Sequence, residues 1–274
     1  MRGERLKAMM VNGVLALAAL LTVAPLLWML AASLMQAGEA SSFPPPLLPA
    51  EPTLAHYRAL LSGGGLGRQF LNSLGLALAA TALSVTFNTL AGYAFAKLHF
   101  AARDKLFALL IAALVIPGQV AMLPLFLMLK SMGLVNSYAG VLVPSLAGIF
   151  GIFLVRQYAR SIPDELLEAA RMDGAGEFRI FFSVVLPLLT PVLATLAVFA
   201  FLGSWNDFMW PLIVLTDGEL HTLPVALASL SREHVQDSEL MMAGAVITVL
   251  PVLALFLLLQ RYYLQGLTMG GVKQ

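Results

Sequence analysis

The chain has 274 residues and a formal net charge of +1, with 59% hydrophobic and 11% charged residues and a mean hydropathy of +0.87; a soluble domain carries roughly 25% charged residues, so a water-soluble core is excluded. No Lys/Arg cluster forms the basic stripe that nucleic acid requires. The absence of cysteine excludes disulfides, cysteine-ligated zinc and thiol catalysis.

Apolar segments fall approximately at residues 8–34, 70–96, 106–129, 138–155, 188–213 and 240–259. They recur at about the 20-residue length that crosses a hydrocarbon core. The expected fold is all-α: a polytopic membrane protein with six transmembrane helices in a single domain over residues 1–274. The first segment follows Arg2, Arg5 and Lys7, as a signal peptide would, but its apolar stretch exceeds the usual length of roughly 7–15 residues, so it reads as a retained anchor. Basic residues near span ends stay cytoplasmic. With both termini inside, the inner segments hold twelve Lys and Arg (Arg2, Arg5, Lys7, Lys97, Arg103, Lys105, Arg156, Arg160, Arg171, Arg179, Arg261, Lys273), and the outer ones only Arg58, Arg68, Lys130 and Arg232. An N-in, C-in topology follows.

The outer loop at about 35–69 contains Pro44-Pro45-Pro46, which favours extended backbone, and Gly63-Gly64-Gly65, which favours flexibility. Inside, one long connection runs over residues 156–187. Ser161 is placed to cap a helix starting near Ile162, with Pro163 in its first turn and Asp164 beside its positive end. Gly174 should end that helix in the left-handed conformation. A second helical stretch is expected from about Gly176 to Leu186, with Pro187 marking the boundary of the fifth span. A dozen-residue helix is marginal in water, so a partner must cover Leu166, Ala169, Ala170 and the Phe178, Phe181, Phe182 cluster. Small residues at Ala169, Ala170, Gly174, Ala175 and Gly176 suit a helix lying in a partner's groove; an amphipathic connector resting on the membrane surface is the competing reading.

The stretch Glu168-Ala169-Ala170, three residues, Gly174, nine residues, then Val184-Val185-Leu186-Pro187 resembles the EAA loop of binding-protein-dependent ABC importer permeases, with Val184 where that family commonly has Ile. Asp173-Gly174-Ala175 fits the carbohydrate branch. The resemblance extends through Phe70-Leu71-Asn72-Ser73, Gly92 to Leu98, Ile116-Pro117-Gly118-Gln119-Val120, Trp205-Asn206-Asp207-Phe208 and Thr222-Leu223-Pro224-Val225. The tail from Gly266 to Lys273 is similar to that of MalG-like subunits of maltose-type importers. The resemblance implies a permease of the cell inner membrane that moves a sugar or related solute. Glu168, Ala169, Ala170, Asp173, Gly174 and Pro187 would couple it to an ATPase, and Gly266, Gly270, Gly271 and Lys273 would reach towards the ATPase dimer interface. It also implies the partners: two copies of a cytosolic ATPase, a second, different permease subunit and an extracytoplasmic solute-binding protein.

Within the spans, Asp207 lies about 19 residues after Leu188, roughly 28 Å along a helix, near the outer end of the fifth span. It reads either as an interfacial carboxylate between the anchors Trp205 and Trp210 or, with Asn206, as a group lining the pathway. Asn88 and Gln119 face a similar choice between solute contact and helix-to-helix hydrogen bonding; Pro117 and Pro124 predict a kinked or broken third span around Gln119. Met122, Met128 and the Phe residues read as packing or lipid-facing. His56, His99, His221 and His234 show no metal-ligand spacing, and no metal or cofactor is expected. No relay of ionisable groups crosses the bilayer at mid-depth, as proton-coupled carriers usually need, and no G-x-x-x-x-G-K-[ST] phosphate loop is present. The chain therefore reads as a transport subunit, not an enzyme, driven by ATP hydrolysis on a partner. An ATP-independent secondary carrier or channel is the alternative, and a membrane-embedded enzyme lacks its motifs.

Overall fold

The structure is a computed structural model that describes residues 2–63, 66–233 and 237–271. Among the described residues all regular secondary structure is helical. In chain order, α1 spans Arg2–Ala32, α2 Ala55–Arg58 with a wide turn at Ala59–Gly63, α3 Leu66–Lys97, α4 Arg103–Ala112, α5 Gly118–Ser131, α6 Tyr138–Leu142 and α7 Ile149–Ala159. The second half contains α8 (Asp164–Met172), α9 (Glu177–Ile180), a wide helical turn at Phe181–Val185, α10 (Leu186–Trp205), α11 (Met209–Val214), α12 (Leu223–Glu233) and α13 (Ser238–Gly271).

Among the described residues four stretches are long and apolar enough to cross a membrane: Met9–Ala32, Leu66–Lys97, Glu177–Trp205 and Ser238–Leu258. Two bent pairs, Arg103–Val115 with Gly118–Ser131 and Tyr138–Ser145 with Ile149–Ala159, raise the number to six if each is one span. The first pair bends by 106° and the second by 40°. Pro117 explains the sharper bend: it lacks the N–H that would continue α4, and it disfavours helical backbone at Ile116, which is extended. Pro25, Pro124, Pro191 and Pro251 all lie inside helices, which membrane helices tolerate.

Two differences from the sequence-based expectation have a local cause. Pro187 does not mark a boundary, because helical backbone runs from Glu177 to Trp205. The wide turn at Phe181–Val185 precedes it, and Pro187 lies in the first turn of α10, where its missing N–H is readily accommodated. At the other end, the stretch predicted to reach Ile213 breaks after Trp205, and the chain resumes as the short α11.

The chain divides into two compact units, Met1–Arg68 with Ala226–Pro251, and Gln69–Val225 with Val252–Gln274. In the first, Ala32, Met35 and Ala40 are buried with Trp28 and Met242 against them. The loop after α1 is tied by carboxylates: Glu39 accepts from the backbone N–H groups of Gln36 and Ala50 at 2.9 and 2.8 Å, and the buried Glu239 accepts from that of Ala40 at 2.6 Å. His56 is buried and hydrogen-bonded to the Met35 carbonyl at 3.0 Å, a structural role.

In the second unit, α3, α7 and α10 share one core of Tyr93, Val155, Ala159, Leu189, Val192 and Leu196, joined by Ile162, Leu167, Ile180, Phe181 and Val185 from the loop between α7 and α10. Two glycines permit the close approach. A Cβ on Gly92 would meet Val155 Cβ at 2.6 Å, and one on Gly151 would meet Asn88 Nδ2 at 2.5 Å. Small residues at helix interfaces serve this purpose in membranes, where van der Waals packing drives helix association.

Candidate functional site

Helix α8 begins one residue after Pro163, with Asp164 and Glu165 in its first turn and Arg171 in its last, each charge complementing the helix dipole. Ser161 is not its cap: the hydroxyl donates to the Tyr158 carbonyl at 2.7 Å and so closes the end of α7. The C-terminus follows the expectation. Gly174 has φ +80°, its N–H donates to the Arg171 carbonyl, and the Ala175 N–H donates to the Ala170 carbonyl, both at 3.0 Å. This pair of bonds, with Ala170 and Ala175 both half-buried against the core, is the Schellman arrangement that satisfies the last carbonyls of a helix.

The helix is two-faced. Leu167 is 2% exposed and enters the core shared by α3, α7 and α10. Glu168, Ala169, Asp173 and Gly174 are exposed, as are Leu166, Met172 at 89% and, past the turn, Phe178 at 81% and Phe182. Of the side chains expected to need a partner, Phe181 is buried in the core and Ala170 partly so; Leu166, Ala169 and Phe178 stay exposed, as does Phe182 although its ring lies edge-on to Phe181 at 5.0 Å. Pro187 is exposed on α10.

Polar contacts that the sequence reading did not anticipate fasten this segment to α3. Lys97, the last residue of α3, is buried, and its ammonium donates to the Ile162 carbonyl and to Asp164 Oδ1, the latter at 2.6 Å. That hydrogen bond holds the Asp164 carboxyl below its usual pKa. One turn earlier on α3, the Tyr93 hydroxyl donates to Glu177 Oε2 at 3.5 Å, and Glu177 Oε1 accepts from Arg171 Nε at 2.8 Å. Arg156 of α7 donates to the Phe95 carbonyl at 3.2 Å and lies 3.8 Å over the Phe107 ring. The Lys97 and Tyr93 partners lie 65 to 84 residues away and leave no local spacing to read; the only signal was a lysine ending a long apolar run.

The pathway candidates sit on different elements: Asn88 on α3, Gln119 on α5, and Trp205, Asn206 and Asp207 at the end of α10 and just after it. Asn88 is fully buried on α3, against Gly151 of α7, and its amide donates to Ser84 Oγ at 2.7 Å. The hydrogen bond stays within α3, and the approach to Gly151 of α7 is one of packing. Gln119 is exposed in the first turn of α5, directly after the break at Pro117. Trp205 is buried, stacked on Phe201 at 5.8 Å and edge-on to Phe70 at 5.7 Å. Asn206 is exposed and Asp207 half-buried in the break between α10 and α11. Asp207 Oδ1 accepts from the Trp210 N–H at 3.3 Å, and the Trp210 indole donates to the Gly140 carbonyl at 3.2 Å. A carboxylate three residues before an N–H in a helix's first turn is a capping arrangement. Gly266, Gly270 and Gly271 fall within the bounds of α13, but their surroundings, and Lys273 altogether, lie outside the described residues.

Residues 88–268 match the family described as "Binding-protein-dependent transport system inner membrane component". The chain is 39% identical over 262 residues to the arabinooligosaccharides transport system permease protein AraQ of Halalkalibacterium halodurans, covering 93% of this chain and 92% of that one. It is 35% identical to the melibiose/raffinose/stachyose import permease protein MelC of Bacillus subtilis, over 100% of both chains. Its fold is similar to that of a chain from a bacterial ABC transporter involved in the import of the acidic polysaccharide alginate, with TM-score 0.84 and 23% identity over 96% of this chain and 98% of that one. The chain thus belongs to the binding-protein-dependent transport system inner membrane components, and is a multi-pass permease subunit of an ABC importer.

Proposed function

We propose that this permease imports a sugar, in the oligosaccharide class, and that its motion is driven through α8 by a separate ATPase. Six spans run N-in and C-in, counting each bent pair as one, so that α8 lies in the cytoplasm; the twelve-to-four bias of basic residues supports this orientation. The observation that carries the coupling role is the two-faced α8. Leu167 anchors it to the membrane helices, while Leu166, Ala169 and Met172 stay exposed beside Phe178 and Phe182. A short amphipathic helix with small residues on its free side fits a groove in a partner. Nucleotide-driven closure of two ATPase copies would push α8 and tilt the attached helices between inward and outward openings, a rigid-body change. A second, different permease subunit completes the pathway, and an extracytoplasmic binding protein delivers the solute. The names of the sugar-importing relatives support the solute class.

Glu168→Ala and Ala169→Trp alter only exposed positions of α8. Each is expected to reduce co-purification of the ATPase and uptake of labelled raffinose or arabinotriose by the assembled transporter. Normal association and uptake in both variants would refute the docking role.

A further inference from the structure

We propose that Lys97 is a positioning residue for coupling: with Tyr93 it forms a two-point clamp by which a displacement of α8 is passed to α3. The inference rests on the docking role of α8 and adds the route by which its motion enters the membrane.

Leu167 is the one residue of α8 that is buried in the core. The apolar contacts of Leu167 and the half-buried Ala170 with that core are non-directional and leave this nine-residue helix some freedom of direction. The polar contacts remove that freedom. Tyr93 and Lys97 are four residues apart and so share one face of α3. Lys97 holds the N-terminal end of α8, through the Ile162 carbonyl and the Asp164 carboxylate. Tyr93 holds the C-terminal end, through Glu177, which in turn accepts from Arg171 in the last turn of α8. The two grips fix both position and direction.

Lys97 is suited to this task because its ammonium has left water. The side chain is 5% exposed, whereas that of Asp164 is 74% exposed. A buried ammonium must keep its hydrogen-bond partners or be destabilised, which makes the contact stiff. The carboxylate end remains hydrated, so the desolvation that opposes the pair falls on the ammonium alone. A lysine that served only to orient the protein in the bilayer would have no need to be buried.

The test uses the assembled transporter, with its ATPase subunits, second permease and binding protein, in proteoliposomes. The chain has no cysteine, so with partner subunits freed of cysteine a nitroxide at Leu71→Cys, an exposed position towards the other end of α3, reports on that helix alone. Its spectrum is recorded without nucleotide and after trapping with ATP and vanadate. The parent is expected to show an ATP-dependent change. Lys97→Met and the double variant Lys97→Met/Asp164→Leu should each reduce it about tenfold, within the usual range for coupling between sites, while the ATPase still co-purifies. Lys97→Arg should restore it. The double variant removes both charges and so avoids an orphaned ion; if it regains the parent's stability and spectral change together, Lys97 is merely structural and the proposal fails. It also fails if the parent shows no change, or if the double variant folds but no longer holds the ATPase. Glu168→Ala and Ala169→Trp separate the two ideas: normal ATPase association and uptake in both overturn the docking role and this inference with it, whereas an ATPase lost from either, together with a full spectral change in the double variant, overturns the clamp alone.

Discussion

Replacing Gly174 by alanine perturbs one property of the turn that ends α8 and little else. Gly174 sits at φ +80°, and a Cβ there would meet nothing within 4 Å, so the substitution creates no clash and buries nothing. Its effect is conformational: an L-residue held in the left-handed region costs roughly 1–2 kcal/mol. A change of that size shifts an equilibrium by a factor of about 5–30, here between the Schellman turn and frayed alternatives that release the Ala170 and Arg171 carbonyls. The apparent affinity for a partner that needs the intact turn falls by at most the same factor. Gly176 supplies the control, because it has φ −71° and equally open surroundings; alanine is compatible there and restricts the unfolded chain. The assay is ATPase binding to purified permease in detergent, titrated for the parent, Gly174→Ala, Gly174→Asn and Gly176→Ala. Weakened binding is expected for Gly174→Ala, less for Gly174→Asn because asparagine tolerates this region, and none for Gly176→Ala. Equal binding by Gly174→Ala and Gly176→Ala would refute the reasoning.

Two further outcomes are expected. Leu167→Ala removes the buried anchor of α8 and should destabilise the region by about 2–5 kcal/mol, read as earlier thermal unfolding and faster hydrogen exchange around residues 164–172; unchanged protection would show that Leu167 does not hold the helix. Because the folded pKa of Asp164 is depressed by Lys97, the pair contributes above the ordinary carboxylate pKa of about 3.9 and is lost only as pH falls through the lower folded value. The ATP-dependent spectral change should therefore stay constant between about pH 6 and 8, and titration of that change within this window would contradict the assignment.

Much of the fold was legible because the bilayer leaves so few solutions. Apolar runs of spanning length and the termination of α8 at Gly174 follow from local rules, and Pro117 announced the break in the third apolar segment. What remained illegible depended on partners distant in sequence. Pro187 read as a boundary because its missing N–H is visible in sequence, whereas the wide turn before it, which lets one helix run from Glu177 to Trp205, is not. Ser161 had the spacing of a cap for the next helix, yet the end of α7 claimed its hydroxyl first. Asp207 read as a residue within a span because its neighbours are apolar; the structure shows the helix ending before it, with the carboxylate accepting from an N–H in the short helix that follows. Lys97 was counted only as a charge at a span end, since nothing near it in sequence reveals that Asp164 lies 2.6 Å away.

The account stands most directly on where the exposed side of α8 goes in the assembled transporter. Because the chain has no cysteine, Met172→Cys places a single thiol at a position that is 89% exposed in the isolated subunit. The account predicts rapid maleimide labelling of the permease alone, protection once the ATPase is bound, and a cross-link from this position to the ATPase. A thiol labelled equally fast in the assembled complex, with no cross-link in any nucleotide state, would contradict it.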